Sequence, residues 1–286
     1  MFLVTGAAGK TGRAVIKALV ANGHEVCGFV RCEKQAEQLL SLGASDCTIG
    51  DMLDAAAFRH AIRNVRAIYH ICPNMHPNEV DIGKLAISVA CDADVNHFVF
   101  HSVLHPQTEA MPHHWRKLRV EEALFESQLP FTILQPAAYM QNILANWDTI
   151  YHHGVFEVPY SVRAPISIVD LHDIAEVAAR VLTESGHTSA TYELSGPEAL
   201  TQTAVAEILS QVLDVPVTAA SVPLDEWELR VRDAGLGDYQ VSTLLSMFRY
   251  YDNYGLCGSS QVLDHLLQRE ATTFGLFVQR VLDDMV

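Results

Sequence analysis

The sequence predicts an α/β fold: a doubly wound parallel sheet with a smaller C-terminal α/β substrate lobe. Three observations carry that expectation. Strand-like apolar runs alternate with amphipathic helical segments through the first half of the chain. A glycine-spaced turn, Gly6-x-x-Gly9-x-x-Gly12, follows the first run, and the alternation loosens after Pro136.

The predicted strands are Phe2 to Thr5, Glu25 to Val30, Asp46 to Ile49, Ala67 to Ile71, Phe98 to His101 and Phe131 to Leu134. Between them lie segments at 10–22, 33–42, 54–64, 77–92 and 112–128, each long enough to cross from one parallel strand to the next. The first helix carries Ala14-Val15-Ile16-Lys17-Ala18-Leu19-Val20 at helical spacing, and Asn22-Gly23 supplies its C-terminal cap. Later strands are expected near Val155 to Val158, Ile166 to Val169, Tyr192 to Leu194 and Val217 to Ala220. Core helices of the second lobe are expected at 201–213, with Thr201 as N-cap, at 223–234 and at 238–251. The chain thus divides into a dinucleotide-binding domain over 1–150 and a substrate lobe over 151–286, with segments around 160–195 returning to the first. No internal repeat or linker interrupts it.

The stretch MFLVTGAAGKTGRAV contains Gly9-Lys10-Thr11, which raises the question of a triphosphate-binding P-loop. That loop needs a further glycine five residues before Gly9, where Val4 stands inside the first strand. What remains is a Rossmann turn. Its glycines permit the tight bend and let a pyrophosphate approach the helix start.

At 286 residues the chain is long enough to bury roughly 75% of its unfolded surface. A formal charge of -15 without a basic run argues against nonspecific nucleic-acid binding and against an anionic membrane surface. No leader precedes the first strand, and no apolar run reaches the roughly 18 residues of a spanning helix, so a soluble cytoplasmic protein is expected. Cys27, Cys32, Cys47, Cys72, Cys91 and Cys257 are widely spaced, which predicts buried reduced thiols rather than disulfides or a zinc site. His97, His101 and His105 are four apart, but their surroundings read as strand, where positions eight apart lie about 26 Å from each other. No metal is expected.

In dinucleotide folds the residue ending the second strand faces the adenosine ribose. Here it is Arg31, with Lys34 close behind. A guanidinium and an ammonium suit the 2′-phosphate of NADP, whereas a carboxylate would accept both hydroxyls of NAD. NADP is the expected cofactor, with NAD the alternative, and an exposed arginine at a strand end the plain reading. Gly50-Asp51-Met52 and Cys72-Pro73-Asn74 follow the third and fourth strands, at the carboxyl edge where ligands bind. Asp51 is placed to accept from an adenine amino group or to form the turn. Tyr139, Met140, Trp147, Tyr160, Trp227 and Phe248 are candidates to wall a flat apolar pocket, or to pack a core.

TGAAGKTG, VRCEKQ, GDMLD, HSVLHP, HHWRKLRVEEALFESQLPFTILQPAAYMQNIL, VDLHDIAEVAARVL and the late REATTFGLFV together resemble the NmrA-like family of the atypical short-chain dehydrogenase/reductase superfamily. The resemblance implies that Gly6, Ala7, Ala8, Gly9, Lys10, Thr11 and Gly12 hold the pyrophosphate, Arg31 and Lys34 the ribose phosphate, and Asp51 with Met52 the adenine. It implies that Cys72, Pro73 and Asn74 border the nicotinamide-side ribose, and that Pro136, Ala137, Ala138 and Tyr139 run along the nicotinamide. Lys117 takes the place of the superfamily's active-site lysine, which binds ribose hydroxyls. The tyrosine that protonates a carbonyl in catalytic members stands four residues before that lysine; here the position holds His113. An imidazole near its ordinary pKa of about 6.5 is a proton donor at neutral pH. Ser102, at the end of the fifth strand, is a candidate hydrogen-bond donor to a substrate oxygen.

Without the tyrosine, sugar epimerisation and ordinary carbonyl reduction are disfavoured. The resemblance implies an NAD(P)H-dependent oxidoreductase of a quinone-like, polycyclic aromatic or conjugated carbonyl molecule, because such acceptors take protons from water or a histidine. The alternative is a catalytically silent NAD(P)-binding sensor. The sequence is compatible with a homo-oligomer.

Overall fold

The computed structural model describes residues 1–285. The first half alternates strand and helix: β1 (Phe2–Val4), α1 (Lys10–Ala21), β2 (Val26–Val30), α2 (Glu33–Ser41), β3 (Asp46–Ile49), α3 (Ala55–Ala61), β4 (Ala67–His70), α4 (Glu79–Asp92), β5 (His97–His101), α5 (Pro112–Phe125) and β6 (Phe131–Pro136). Each expected strand is present within a residue or two at its ends. Helix ends differ more. The segment expected from 77 starts at Glu79, that from 54 ends at Ala61 shortly before Asn64, which has φ 61°, and that to 128 ends at Phe125.

The second half contains β7 (Ala138–Tyr139), a 3-10 helix over Met140–Asn146, α6 (Trp147–His153), β8 (Val155–Val158), β9 (Ile166–Val169), α7 (Leu171–Thr183), β10 (Ala190–Leu194) and β11 (Ala199–Leu200). It continues with α8 (Gln202–Leu213), β12 (Thr218–Ser221), α9 (Leu224–Asp233), α10 (Asp238–Tyr254), α11 (Gln261–Leu267) and α12 (Phe274–Asp283). Thr201 caps α8 as expected, its hydroxyl accepting from the Ala204 N–H at 3.2 Å.

The chain forms two compact units. The first comprises residues 1–107, 113–135 and 174–192; the second comprises 108–112, 136–173 and the chain from Glu193 onward. The large sheet has the order β10-β6-β5-β4-β1-β2-β3, and the pairs from β6 through to β3 are all parallel. That order reverses between β1 and β4, which defines the switch point of a doubly wound sheet. Strands β1, β2, β4 and β6 are buried along their length, as expected where helices cover both faces, while the edge strand β3 is half-exposed. Leu3, Ile68, Phe98, Phe100, Ile82 and Leu124 lie in one apolar core that packs α3, α4 and α5 onto the sheet.

In the second unit β7 pairs parallel with β9, β11 antiparallel with β9, and β12 parallel with β8. Trp147, Phe156, Leu209, Phe274 and Phe277 share its core. Two fully buried carboxylates brace it. Asp170 accepts from Arg280 at 2.5 Å and Gln141 at 2.6 Å, and Asp173 accepts from Arg269 at 2.8 Å and the Thr272 N–H at 2.7 Å. Of the expected core helices, α8 and α10 bury residues but α9 buries none. Its arginines instead bond outward-facing acids, Arg230 with Glu157 and Arg232 with Glu228.

Among the described residues no helix is long and apolar enough to cross a membrane. The cysteines are all free. Cys27 and Cys72 are buried as expected, but Cys32, Cys91 and Cys257 are exposed, because each stands at or beyond a helix end or on an outward helix face.

Candidate functional site

The β1–α1 turn is built by contact as much as by conformation. Gly6 has φ +56°, and a Cβ there would meet Ile71 at 2.8 Å; at Gly12 a Cβ would stand 2.5 Å from the Gly6 carbonyl oxygen. Gly9 closes the turn with its N–H donating to that same Gly6 oxygen at 3.0 Å. Gly9 is also the N-cap of α1, with no side-chain capping bond and no acid in the first turn. The helix start is therefore uncapped, exposed at Gly9 and Lys10, and free of negative charge. A pyrophosphate fits such a cradle, because an anion satisfies terminal N–H groups and the positive helix end together.

Parallel strands bring the other predicted cofactor residues to this edge. Arg31 follows β2, Asp51 and Met52 follow β3, and Cys72, Pro73 and Asn74 follow β4. Lys10, Arg31 and Lys34 are exposed, and among the described residues none has an ion-pair partner. The Arg31 backbone N–H donates to Gln35 at 2.9 Å, which fixes the turn into α2. Asp51 is exposed and accepts the Leu53 N–H at 2.9 Å, so its carboxylate forms the turn, while Met52 is buried. Cys72 is buried, and burial first, then the Glu79 carboxylate, push its thiol far above the usual range, so it is no nucleophile.

Helix α5 presents His113, Lys117 and Glu121 at four-residue steps, which places them along one face. The Lys117 Nζ donates to Glu79 Oε1 at 2.6 Å and to the His101 carbonyl at 3.3 Å, and stands 5.5 Å over the Phe100 ring. Glu121 accepts the Ser102 hydroxyl and the Gln135 amide, the latter 3.0 Å from both carboxylate oxygens. Burial raises the Glu121 pKa, partly opposed by these two hydrogen bonds.

Two sequence expectations change here. His113 is not an imidazole near 6.5: burial, then the adjoining His114 and Lys117, push it down to about 2, and its Nδ1 is buried without a partner. Burial thus favours the neutral ring, which argues against an imidazolium donor in this conformation. The Ser102 hydroxyl is not directed to a ligand either, since it is 2% exposed and donates to Glu121. Glu79, Glu121 and Gln135 were missed. The i+4 spacing of Glu121 from Lys117 was visible in sequence, whereas Glu79 reaches Lys117 only through the path of the β4–α4 connection.

Three histidines on β4 and β5 are hydrogen-bonded within the sheet, while His105 lies beyond β5 and is half-buried. His97 Nε2 bonds the Thr132 hydroxyl at 2.8 Å, His101 bonds Tyr69, and His70 bonds Thr5 at 3.0 Å. In the second unit, Ala138 and Tyr139 pair with Ile168 and Val169, and Pro136 and Ala137 are buried. Trp147 is a core residue. Tyr160 stacks on Phe248 at 5.9 Å and meets Tyr251 edge-on at 5.6 Å, and Trp227 meets Phe248 edge-on at 4.8 Å.

The sequence profile of the NmrA-like family matches residues 1–277. The chain is 26% identical over 280 residues to an NAD(P)H azoreductase of Xenophilus azovorans, covering 98% of this chain and 97% of that protein. It is 27% identical over 275 residues to quinone oxidoreductase 2 of Escherichia coli K12, covering 96% of each. The crystal structure of the NADPH-dependent quinone oxidoreductase QOR2 of Escherichia coli, complexed with NADPH, superimposes with a TM-score of 0.86 at 26% identity, over 99% of this chain and all of that one. With its glycine cradle, its strand order and this match along nearly its whole length, the chain belongs to the NmrA-like family.

Proposed function

We propose that this protein is an NAD(P)H-dependent reductase of small quinone-like, azo or other conjugated aromatic acceptors. The observation that carries the reading is the uncapped glycine turn with three cations at the same sheet edge that have no ion-pair partner among the described residues, in a chain similar along nearly its whole length to an NAD(P)H azoreductase and an NADPH-dependent quinone oxidoreductase. Gly6 to Gly12 hold the pyrophosphate by backbone N–H groups. Arg31 and Lys34, with Lys10, hold the ribose phosphate, which favours NADP over NAD. Met52 gives an apolar contact to the adenine and Asp51 shapes its turn. Cys72 to Asn74 border the second ribose, and Lys117 binds its hydroxyls.

When bound, the reduced nicotinamide supplies hydride. The chain's own part is to hold that ring against an acceptor and to keep charge off the nearby imidazoles. His113 serves as a neutral ring, able to give a hydrogen bond but not a proton from an imidazolium. In this reading the proton balancing a reduced quinone or azo group comes from water. The protein acts in the cytoplasm, without membrane or nucleic-acid partners.

The test is NADPH oxidation by the purified protein, followed at the nicotinamide absorbance band with a panel of benzoquinones, naphthoquinones and azo dyes. Turnover on members of the panel is the expected result. Tight NADPH binding without turnover on any of them overturns the enzyme reading in favour of a cofactor sensor.

A further inference from the structure

Lys117 is held by groups of the protein on two of its three ammonium donors. Glu79 takes one at 2.6 Å and the His101 carbonyl another at 3.3 Å. Glu79 is 1% exposed and the Lys117 side chain 14%. Glu79 opens α4, where the positive helix end favours a carboxylate, and its N–H donates to the His76 carbonyl at 3.2 Å. The neighbouring Arg116 ties the same connection, donating from Nη1 to the Pro77 carbonyl at 2.6 Å. Adjacent residues of α5 thus hold the first residue of α4 and the connection just before it, the connection that carries Cys72, Pro73 and Asn74.

The other titratable groups around the ammonium do not compete for it. His70 on β4, His101 on β5, and His113 and His114 on α5 are kept neutral by burial, as is the Cys72 thiol after β4. Glu121 is engaged with Ser102 and Gln135.

We propose that Glu79 is a positioning residue for the cofactor: it anchors Lys117 so that one ammonium N–H is presented to the vicinal hydroxyls of a ribose. The role rests on the reading of Lys117 as a ribose-binding lysine. A flexible lysine would lose rotamer freedom on binding; one anchored by a buried carboxylate loses that freedom when the protein folds, and its remaining donor is aimed in advance.

The experiment is a double-mutant cycle on NADPH affinity, read by fluorescence titration, with Glu79→Gln, Lys117→Met and both together. Each single change is expected to weaken NADPH about tenfold. In the Lys117→Met background, Glu79→Gln should add no more than about twofold, because its effect passes through the ammonium. Unchanged affinity in Lys117→Met overturns the ribose reading of the lysine itself. Weakening by Lys117→Met but not by Glu79→Gln, or equal weakening by Glu79→Gln in both backgrounds, leaves that reading standing and overturns the role of Glu79.

A second measurement needs no variant of Glu79. In protein with ¹⁵N-labelled lysine, the Lys117 ammonium resonance, assigned by its loss in Lys117→Met, should be visible without ligand and shift with NADPH. If the free protein shows no such resonance and NADPH brings it out, the lysine is ordered by the cofactor and the proposal fails.

Discussion

Gly12 and Gly6 stand in backbone contact: a Cβ on Gly12 would lie 2.5 Å from the Gly6 carbonyl oxygen and 2.6 Å from the Ala7 Cα. Neither neighbour is the end of a flexible side chain. Gly12→Ala should therefore destabilise the protein by about 3 kcal/mol, at the upper end for overpacking. Thermal unfolding reads that loss, and NADPH titration of the folded fraction should show binding lost as well. A variant with unchanged Tm would mean that the turn yields where the packing says it cannot.

Arg31 is exposed and bonds the protein through its backbone N–H rather than its guanidinium. Arg31→Ala should leave Tm unchanged and weaken NADPH by about 2 kcal/mol, roughly thirtyfold, through loss of a charge-assisted contact. NADH affinity should stay as it was. Equal losses for the two cofactors would remove Arg31 from phosphate recognition.

Burial holds His70, His101, His113 and His114 at about 3, 3, 2 and 4, each lowered from the ordinary value of 6.5. A depressed folded pKa means that the unfolded chain binds protons first. The stability these groups contribute is complete above pH 6.5 and is lost as pH falls from there towards 4 and below. Each group loses about 2 kcal/mol by pH 5 on the simple linkage relation. Tm should fall steadily from pH 6.5 downward, and His114→Phe should make that fall shallower. A flat Tm between pH 7 and 5 would show that these rings find protons without unfolding.

Since His113 is neutral well below physiological pH, a rate profile between pH 6 and 8 should carry no ionisation from it. The profile of His113→Phe should therefore run parallel to that of the parent. An acid-side limb that disappears in the variant would place a titrating His113 back in the reaction.

Asp173 is 1% exposed and accepts from Arg269, the Thr272 N–H and the Thr272 hydroxyl. Asp173→Ala leaves a buried N–H without its acceptor and should cost about 3 kcal/mol in denaturant unfolding. The slope with denaturant should hold while the midpoint drops. A midpoint within experimental scatter would mean that Arg269 and Thr272 find other partners.

The first sheet was legible because two independent periodicities agree along it. Buried parallel strands leave continuous runs such as Val26–Val30, and Val15, Ile16 and Leu19 fall on one helical face. The second half gave up its longer elements, but two-residue strands such as β7 and β11 carry no period to detect. The α9 segment reads as amphipathic, and only its neighbours decide that it stays exposed. In the site, residues tied to a turn chemistry were visible: Gly6, Gly9, Gly12 and Arg31. What escaped were long-range partners. Glu79 lies 38 positions from Lys117, and their meeting depends on the β4–α4 connection, where Met75 adopts φ +49°. The state of His113 escaped for the same reason, since burial is a property of the fold and not of the imidazole.

The two halves of the proposed phosphate-binding edge differ in how tightly the rest of the molecule holds them. Gly6 and Gly12 are locked by backbone contact, while Lys10, Arg31 and Lys34 project from the surface with no partner among the described residues. On the roles proposed for them, a change of nicotinamide cofactor would need only surface side chains to change, at positions whose side chains take no part in the packing. On the same reading, holding a dinucleotide is tied to the backbone packing of the turn, whereas choosing between dinucleotides is not.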